Sequence, residues 1–335
     1  MADASSSTAA SASPHITTSP ATTTPVVILV VGMAGTGKTT LVHRMQHYAH
    51  SSGIRSYFIN LDPAVTHTPY NVNIDIRDSV QYSEVMKKYR LGPNGAIMTS
   101  LNLFATKIHQ VVSLLEKKKE TLDWIVVDTP GQIEVFTWSA SGQLISESFG
   151  AVFPTVLLFV ADTVRCVSSP HTFVSMMLYS SGIMLKQQMP LVVVFNKTDV
   201  VSADSVVQWM RDNDALDEAV TNPCRHDPSS GADRADAGEG EGNDADGRGE
   251  GTRIGAAALR SQDVLFASQG SSFAGTLAQS MSLFLHEFYE DLPYAAVSAA
   301  SGAGMSELAD SIERGKQQAL GAKSSQHCAT GNDPV

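Results

Sequence analysis

The sequence lacks the features that define several protein classes. It has only three cysteines, Cys166, Cys224 and Cys328, which lie far apart and show no CxxC or Cys/His ligand spacing. Their odd number and wide separation fit a reducing intracellular compartment. No apolar run approaches the roughly 20 residues that a membrane-spanning helix needs, so we expect a soluble protein.

Positive charge is also scarce. The 335 residues include 23 Lys and Arg against 34 Asp and Glu, which gives a formal net charge of −11. Proteins that hold nucleic acid through a basic face need an excess of Lys and Arg against the phosphates. The charge balance therefore argues against direct nucleic-acid binding.

Three segments contain too few large apolar residues to form a packed core. Residues 1–25 include 12 Ser or Thr and one charged side chain, with neither a signal-peptide apolar region nor the Arg content of a transit peptide, which predicts a disordered leader. Residues 222–255 hold eight Gly and eight acids and are predicted to be a disordered insertion. Residues 316–335 are predicted to be a flexible tail. One domain is thus expected over residues 26–315.

Short apolar, β-branched runs alternate with stretches of helix-spaced apolar residues. The runs are continuous rather than alternating, which is typical of strands covered on both faces. Strands are predicted at 26–31, 57–61, 124–127, 155–160, 191–195 and 294–297, and helices at 39–50, 139–149, 172–185 and 275–290. This βαβ order predicts an α/β fold with a mostly parallel, doubly wound sheet flanked by helices.

The first predicted strand is followed by GMAGTGKTT, residues 32–40, which satisfies the GxxxxGK[ST] pattern in its strand-loop-helix context. In such a P-loop, glycines let backbone N–H groups curl around phosphates, a lysine faces the β- and γ-phosphate oxygens, and a hydroxyl binds Mg²⁺. The predicted phosphate site comprises Gly32, Gly35, Thr36, Gly37, Lys38, Thr39 and Thr40, with Thr39 on the metal.

Two aspartates end other strands. Asp128 opens the segment DTPGQ, where a carboxylate can hold Mg²⁺ and Gly131 lets the backbone approach a γ-phosphate. Asp62 closes the second predicted strand, where it could orient or deprotonate an attacking water. Without a P-loop, each segment would be interpreted as an ordinary turn, and Asp62 as a turn or helix N-cap residue.

The tetrad NKTD, Asn196 to Asp199, follows the fifth predicted strand. A carboxylate at Asp199 can accept hydrogen bonds from the N1–H and the exocyclic amine of guanine, a donor pair that adenine lacks. Ser298 and Ala299 follow the last strand and can offer backbone N–H groups to the guanine carbonyl. The sequence therefore predicts a base-binding site selective for GTP, formed by Asn196, Lys197, Asp199, Ser298 and Ala299.

One further tripeptide, Gly92-Pro93-Asn94, is interpreted locally as a tight turn that presents the Asn94 amide. Together with the P-loop, Asp62-Pro-Ala, NIDIRD at 73–78, DTPGQ and NKTD, it resembles the GPN-loop GTPases, and most closely their first eukaryotic paralogue. The resemblance covers about residues 26–315 apart from the insertion.

The resemblance implies a P-loop NTPase domain with a GPN-loop insertion that binds GTP, GDP and Mg²⁺. It implies a dimer, with itself or a second GPN-loop paralogue, in which Gly92-Pro93-Asn94 reaches the γ-phosphate side of the partner's site. Asp62 and Gln132 would position the water, and Asn94 would add a polar contact. It also implies a cytoplasmic protein that shuttles to the nucleus and acts in assembly and nuclear import of RNA polymerase II.

Alternatives stay open at this point. The sequence shows no evident arginine finger, although Arg77 or a partner could serve, so the protein could be an assembly chaperone with slow or dispensable turnover. A small-molecule kinase is disfavoured by NKTD, and a nickel-type metallochaperone by the lack of a Cys/His cluster. His43, His47 and His50 have a helical spacing that could bind metal, but ordinary solvated or half-buried histidines are the favoured interpretation.

Overall fold

The computed structural model describes residues 24–221, 285, 288–289 and 292–329. Its strands are β1 (Val26–Val31), β2 (Ser56–Asn60), β3 (Ile74–Asp75), β4 (Trp124–Asp128), β5 (Thr155–Asp162), β6 (Leu191–Asn196) and β7 (Tyr294–Ala296). Within the described ranges they form one seven-stranded sheet in the order β3-β2-β4-β1-β5-β6-β7, and every neighbouring pair is parallel. The predicted α/β fold is confirmed, and its six predicted strands are all present.

Helices connect the strands and cover the sheet. They are α1 (Lys38–Ser51), α2 (Ile76–Ser79), α3 (Tyr82–Tyr89), α4 (Pro93–Ala105), α5 (Ile108–Lys117), α6 (Ile133–Thr137), α7 (Ala140–Val152), α8 (Thr163–Ser168), α9 (Pro170–Gln187), α10 (Asp204–Arg211), α11 (Asn213–Thr221) and α12 (Met305–Ala329). A short 3₁₀ turn (Lys119–Thr121) precedes β4. No helix in the described ranges has both the length and the apolar character that crossing a bilayer requires.

The sheet separates two layers of hydrophobic core. Successive side chains of a strand point to opposite faces, so Val27 and Leu29 of β1 pack with α4, α7 and α9, whereas Val26 and Ile28 pack with α1 and α12. All six residues of β1 are buried, as are all eight of β5. Burial on both faces explains why the apolar runs are continuous in the sequence.

Helix α12 continues past the predicted boundary at residue 315, as far as Ala329. Lys316 and Ala319 are buried on this extension. Lys323 donates from Nζ to the backbone oxygen of Phe153 over 3.0 Å. These contacts attach residues beyond 315 to the sheet layer, so the segment predicted as a tail begins as part of the domain.

Other predictions about chain organisation lie largely outside the described residues. These are the leader up to residue 23 and the insertion at 222–255. The predicted helix at 275–290 is described only at residues 285, 288 and 289, which are helical.

Candidate functional site

The P-loop turns sharply between β1 and α1, and two of its glycines require that turn. Gly35 has φ +80° and Gly37 has φ +91°, in the left-handed region that favours glycine. A Cβ on Gly37 would also lie 2.6 Å from Nδ2 of Asn196. Gly37 is the N-cap of α1 and places no side chain over the first-turn N–H groups. Those N–H groups and the helix dipole therefore face the loop, as an anion site requires.

Lys38 lies beneath this loop, and its side chain joins two predicted site segments. Its Nζ donates to the backbone oxygens of Gly32 and Met33 over 2.8 and 3.0 Å and to that of Gly131 over 3.3 Å. Burial lowers the pKa of Lys38, and the nearby charges of Asp128 and Asp62 oppose that shift. The ammonium group is thus held by carbonyl dipoles at the point where the P-loop meets the DTPG turn.

Asp128, at the end of β4, is almost completely buried, and its two oxygens differ. Oδ2 accepts hydrogen bonds from Thr39 Oγ1 and from the Tyr70 hydroxyl, both over 3.0 Å. Oδ1 is buried with no hydrogen-bond partner. Burial raises the pKa of this carboxyl to about 6. An unpaired buried carboxylate oxygen beside a threonine hydroxyl fits the oxygen ligands that Mg²⁺ prefers.

Asp62 lies against the same turn. Its Oδ1 accepts from the backbone N–H of Ala64 over 2.9 Å, and its Oδ2 accepts from that of Gly131 over 3.2 Å. The first hydrogen bond is the one expected if Asp62 is an ordinary turn residue. The second places the carboxylate next to the DTPG segment. Burial raises the pKa of Asp62. The structure therefore brings Asp62, Lys38 and Asp128 together.

The NKTD tetrad is connected to the P-loop by the side chain of Asn196. Its Nδ2 donates to the Thr36 carbonyl over 2.8 Å, and its Oδ1 accepts from the Ala299 N–H over 3.0 Å. Asp199 is exposed, and its Oδ1 accepts from the Ser298 hydroxyl over 2.6 Å. The predicted phosphate-binding and base-binding segments thus form one continuous surface at the carboxyl edge of the sheet.

The structure places the remaining predicted residues at the surface. Thr40 is exposed on the first turn of α1. Gln132 is exposed and is the N-cap of α6. Asn94 is exposed on the first turn of α4, and the described contacts include no hydrogen bond from it to the P-loop, Asp62 or Gln132. One chain therefore brings neither Asn94 nor Gln132 into the buried cluster.

The interpretation of Gly92-Pro93-Asn94 as a tight turn is wrong. Gly92 is the N-cap of α4 and Pro93 is its first residue. Proline is favoured at that position because its fixed φ suits a helix and its missing N–H has no intrahelical partner there. The tripeptide therefore starts a helix whose first turn carries Asn94.

Arg77 does not lie free near the phosphate site. It forms a salt bridge with Asp75 over 2.6 Å. Its NH1 donates to the carbonyls of Val65 and Thr66, both over 3.0 Å. A guanidinium engaged in this way is not placed to act as an arginine finger in the same chain.

Three residues at the site were not anticipated from the sequence. Tyr70 binds Asp128, as described above. Asp162 ends β5 and accepts from Lys197 Nζ over 2.7 Å, and the signal that identified Asp128, an acid closing a buried strand, applies to it equally. Arg44 donates from Nε to the Ala299 carbonyl over 3.0 Å and from NH2 to that of Ala300. Nothing in the local sequence indicates the partners of Tyr70 or Arg44.

The histidines of α1 are not arranged as a metal centre. His43 and His47 lie with their Nε2 atoms 3.2 Å apart near the protein surface. Among the described residues, no group of three or more His, Cys, Asp or Glu is placed to hold a metal ion.

Comparison with known proteins identifies relatives along most of the chain. Residues 30–235 match a family model described as a conserved hypothetical ATP binding protein. The chain is 44% identical over 289 residues to GPN-loop GTPase QQT2 of Arabidopsis thaliana, covering 86% of this chain and 64% of that protein. It is 40% identical over 291 residues to GPN-loop GTPase 1 of Schizosaccharomyces pombe, covering 86% and 68%. The chain thus spans less than two thirds of the Arabidopsis protein.

A solved structure has the same fold. The crystal structure of an apo GTPase from Pyrococcus abyssi matches with a TM-score of 0.64 and 20% sequence identity, covering 86% of this chain and 96% of that one. At this identity the likeness concerns the fold alone.

The raised pKa of Asp128 predicts a specific pH dependence of stability. Because the folded-state pKa of about 6 lies above the ordinary 3.8, the native state binds the proton more tightly than the unfolded chain does. This contribution is present at low pH and is lost as pH rises through about 6. The free energy of unfolding of wild type minus that of Asp128→Asn should therefore fall by up to about 3 kcal/mol between pH 4 and pH 7. Urea unfolding without Mg²⁺ measures it.

Asp123→Asn is a matched control with the opposite sign. The hydrogen bonds from Arg55 lower the pKa of Asp123, so its contribution is lost as pH falls. The wild-type-minus-variant difference should rise with pH for Asp123. A difference that does not change with pH for Asp128→Asn would contradict the burial argument.

Proposed function

Because the chain belongs to the GPN-loop GTPase family, we propose that it binds GTP with Mg²⁺ and hydrolyses it to GDP and phosphate. The observation that supports this proposal is a pair of hydrogen bonds. The Asn196 side chain binds the Thr36 carbonyl of the P-loop and the Ala299 N–H in the loop after β7. A nucleotide needs both segments at once, one for its phosphates and one for its base. As the resemblance predicted, relatives named GPN-loop GTPase 1 are among those matched.

The family model's description names ATP, whereas the base-binding residues favour guanine. Asp199 is exposed at the edge of the site and Ser298 Oγ donates to one of its oxygens, which fixes the carboxylate's orientation. A carboxylate matches the paired N–H donors on guanine and would have no such pair on adenine. We therefore propose GTP rather than ATP as the substrate.

Replacing Asp199 should change which base is bound. An Asn side chain presents an N–H₂ donor where guanine also presents a donor, and where xanthine presents a carbonyl oxygen. Because a hydrogen bond to a charged group contributes about 1.5–3 kcal/mol, Asp199→Asn should weaken GTP binding by at least about tenfold and favour xanthosine triphosphate. Fluorescence titration with labelled nucleotides measures both affinities.

The control for this variant is Asp204→Asn, an exposed aspartate at the start of α10. It should leave both affinities unchanged. If Asp199→Asn binds GTP and xanthosine triphosphate as wild type does, the base assignment is wrong.

Catalysis is proposed to depend on positioning and charge. Lys38 would neutralise the γ-phosphate oxygens from its place beneath the P-loop. Asp62, held beside Gly131, would orient or deprotonate the attacking water. When bound, Mg²⁺ would neutralise the charge that develops on the phosphates, with Thr39 and Asp128 as its protein ligands.

The exposed positions of Asn94 and Gln132 support a proposed dimer. Neither side chain lies in the buried cluster of its own chain. The Ala96 N–H donates to the Gly92 carbonyl over 3.0 Å, which closes the first turn of α4 and leaves Asn94 exposed on it. An exposed tripeptide at the start of a helix is suited to entering a facing subunit's site. The partner is proposed to be a second copy or a second GPN-loop paralogue.

Asn94→Ala and Gln132→Leu should each slow single-turnover GTP hydrolysis without preventing GTP binding. Removal of one oriented polar group typically costs about 10²–10³ in the rate of the chemical step, which we take as the expected range. The matched control is Asn102→Ala, an exposed asparagine further along α4. Rates equal to wild type in both variants would refute the assigned roles.

We further propose that the protein acts in assembly and nuclear import of RNA polymerase II, in the cytoplasm with shuttling to the nucleus. This proposal rests on the family resemblance. Nucleotide-dependent switching of the dimer would be the means by which the protein acts. No direct contact with nucleic acid is proposed, in keeping with the net charge of −11.

A second candidate is an assembly chaperone whose turnover is slow or dispensable. The position of Arg77 favours it, since this arginine is bound to Asp75 and to two backbone carbonyls. Without an arginine at the phosphates, a P-loop GTPase hydrolyses slowly unless a partner supplies one.

The two candidates differ in their response to a GTP analogue that cannot be hydrolysed. If hydrolysis drives the cycle, polymerase subunits should bind the analogue-loaded protein and stay bound in a co-precipitation release assay, whereas GTP-loaded protein should release them. Full release with the analogue would favour the chaperone. Absence of subunit binding with GTP, GDP and the analogue alike would refute the polymerase proposal.

A further inference from the structure

Tyr70 lies on the segment between Asp62 and β3 and reaches the buried carboxylate of Asp128. We propose that Tyr70 is a positioning residue that orients Asp128 so that its Oδ1 is presented to the nucleotide-bound Mg²⁺. The inference rests on the proposed function, because it concerns the divalent cation of the same site. It assigns a role to a residue outside the P-loop, DTPG and NKTD motifs.

The hydrogen bonds around Asp128 are asymmetric. Tyr70 OH and Thr39 Oγ1 both donate to Oδ2 over 3.0 Å, and Oδ1 has no partner. Rotation of the carboxylate about its Cβ–Cγ bond would break both hydrogen bonds in a site where unmade bonds are costly. Two donors on one oxygen therefore hold the plane of the carboxylate and leave the other oxygen for a cation.

The two donors are not equivalent. Thr39 belongs to the P-loop and its oxygen is itself a predicted cation ligand. Tyr70 is only 5% exposed, and its ring packs near Phe58 with centroids 6.0 Å apart. Tyr70 therefore acts on the cation only through Asp128, in the manner of residues that orient metal ligands from behind.

The backbone after Tyr70 is attached to two elements, which fixes where the hydroxyl lies. The side chain of Gln46 in α1 accepts from the Asn71 N–H over 2.9 Å and donates to the Asn71 carbonyl over 3.0 Å. Asn73 is bound to Phe58 of β2 through N–H and Oδ1, each over 2.8 Å. The placement of the hydroxyl is therefore set by the fold of this segment, and not by a freely rotating side chain.

Tyr70→Phe tests the proposal, since it removes the hydroxyl and keeps the ring. Loss of a group that orients a metal ligand typically weakens metal binding about 10–100-fold, so the Mg²⁺ concentration for half-maximal effect should rise by at least about tenfold. The measurement is the dissociation rate of fluorescent methylanthraniloyl-GDP from the full chain as MgCl₂ is varied. The rate without Mg²⁺ should match wild type, which a general structural defect would not allow.

Tyr57→Phe is the matched control, because Tyr57 is a buried tyrosine of β2 in the core layer on the other side of the sheet. It should leave the Mg²⁺ dependence unchanged. A second variant, Gln46→Met, removes the contacts to Asn71 without altering the ring and should shift the Mg²⁺ dependence in the same direction. It decides the question if Tyr70→Phe does not fold, as judged by thermal melting.

The outcomes separate this inference from the proposed function. If wild type shows no Mg²⁺-dependent retention of the labelled GDP, the proposed function fails. If wild type shows it and folded Tyr70→Phe shifts the half-maximal concentration by less than twofold, the role of Tyr70 is refuted. In the absence of folded Tyr70→Phe, an unshifted Gln46→Met refutes it.

Discussion

The arrangement of the candidate site depends on the buried amide of Asn196. Asn196 is the last residue of β6. Its side chain donates to the Thr36 carbonyl and accepts from the Ala299 N–H. Its backbone oxygen accepts from Thr163 Oγ1 over 2.7 Å. Three loops that are distant in the sequence are thereby held at one edge of the sheet. An ionised carboxylate could not donate and an aliphatic side chain could do neither, whereas the amide supplies both groups from one side chain.

That edge also concentrates charge that would be unstable elsewhere in a protein core. Lys38 and Asp128 are buried and Asp62 is half-buried, and burial is the first cause of the pKa shift of each. Their opposite charges compensate only in part, since Asp128 keeps one oxygen without a partner. The proposed cation and phosphates would stabilise such a site, because a ligand that binds only the folded state raises its stability.

The sheet could be predicted from the sequence because its signal is local. Val26–Val31 and Leu191–Asn196 are continuous apolar runs, and burial on both faces is the reason for that composition. The P-loop and NKTD could be predicted because each is a motif of consecutive residues. Tyr70 could not, because the partner of a tyrosine hydroxyl is decided by tertiary packing. The start of α4 differs from the predicted turn for another reason: Gly-Pro-Asn favours a turn, but proline is also favoured at a first helical position, and the local sequence does not distinguish the two.

The residues proposed to act on the attacking water differ from the rest of the site in their exposure to solvent. A buried cluster containing Lys38 and Asp128 would account for the proposed nucleotide binding and for charge neutralisation, but the groups proposed to act on the attacking water differ in burial. Asp62 is half-buried beside Gly131, whereas Gln132 and Asn94 are exposed. Ordered water attack requires polar groups on both sides of the water and exclusion of bulk solvent. Because exposed side chains satisfy neither condition in one chain, the proposed dimer, in which a second subunit covers this face, would let Gln132 and Asn94 act with Asp62.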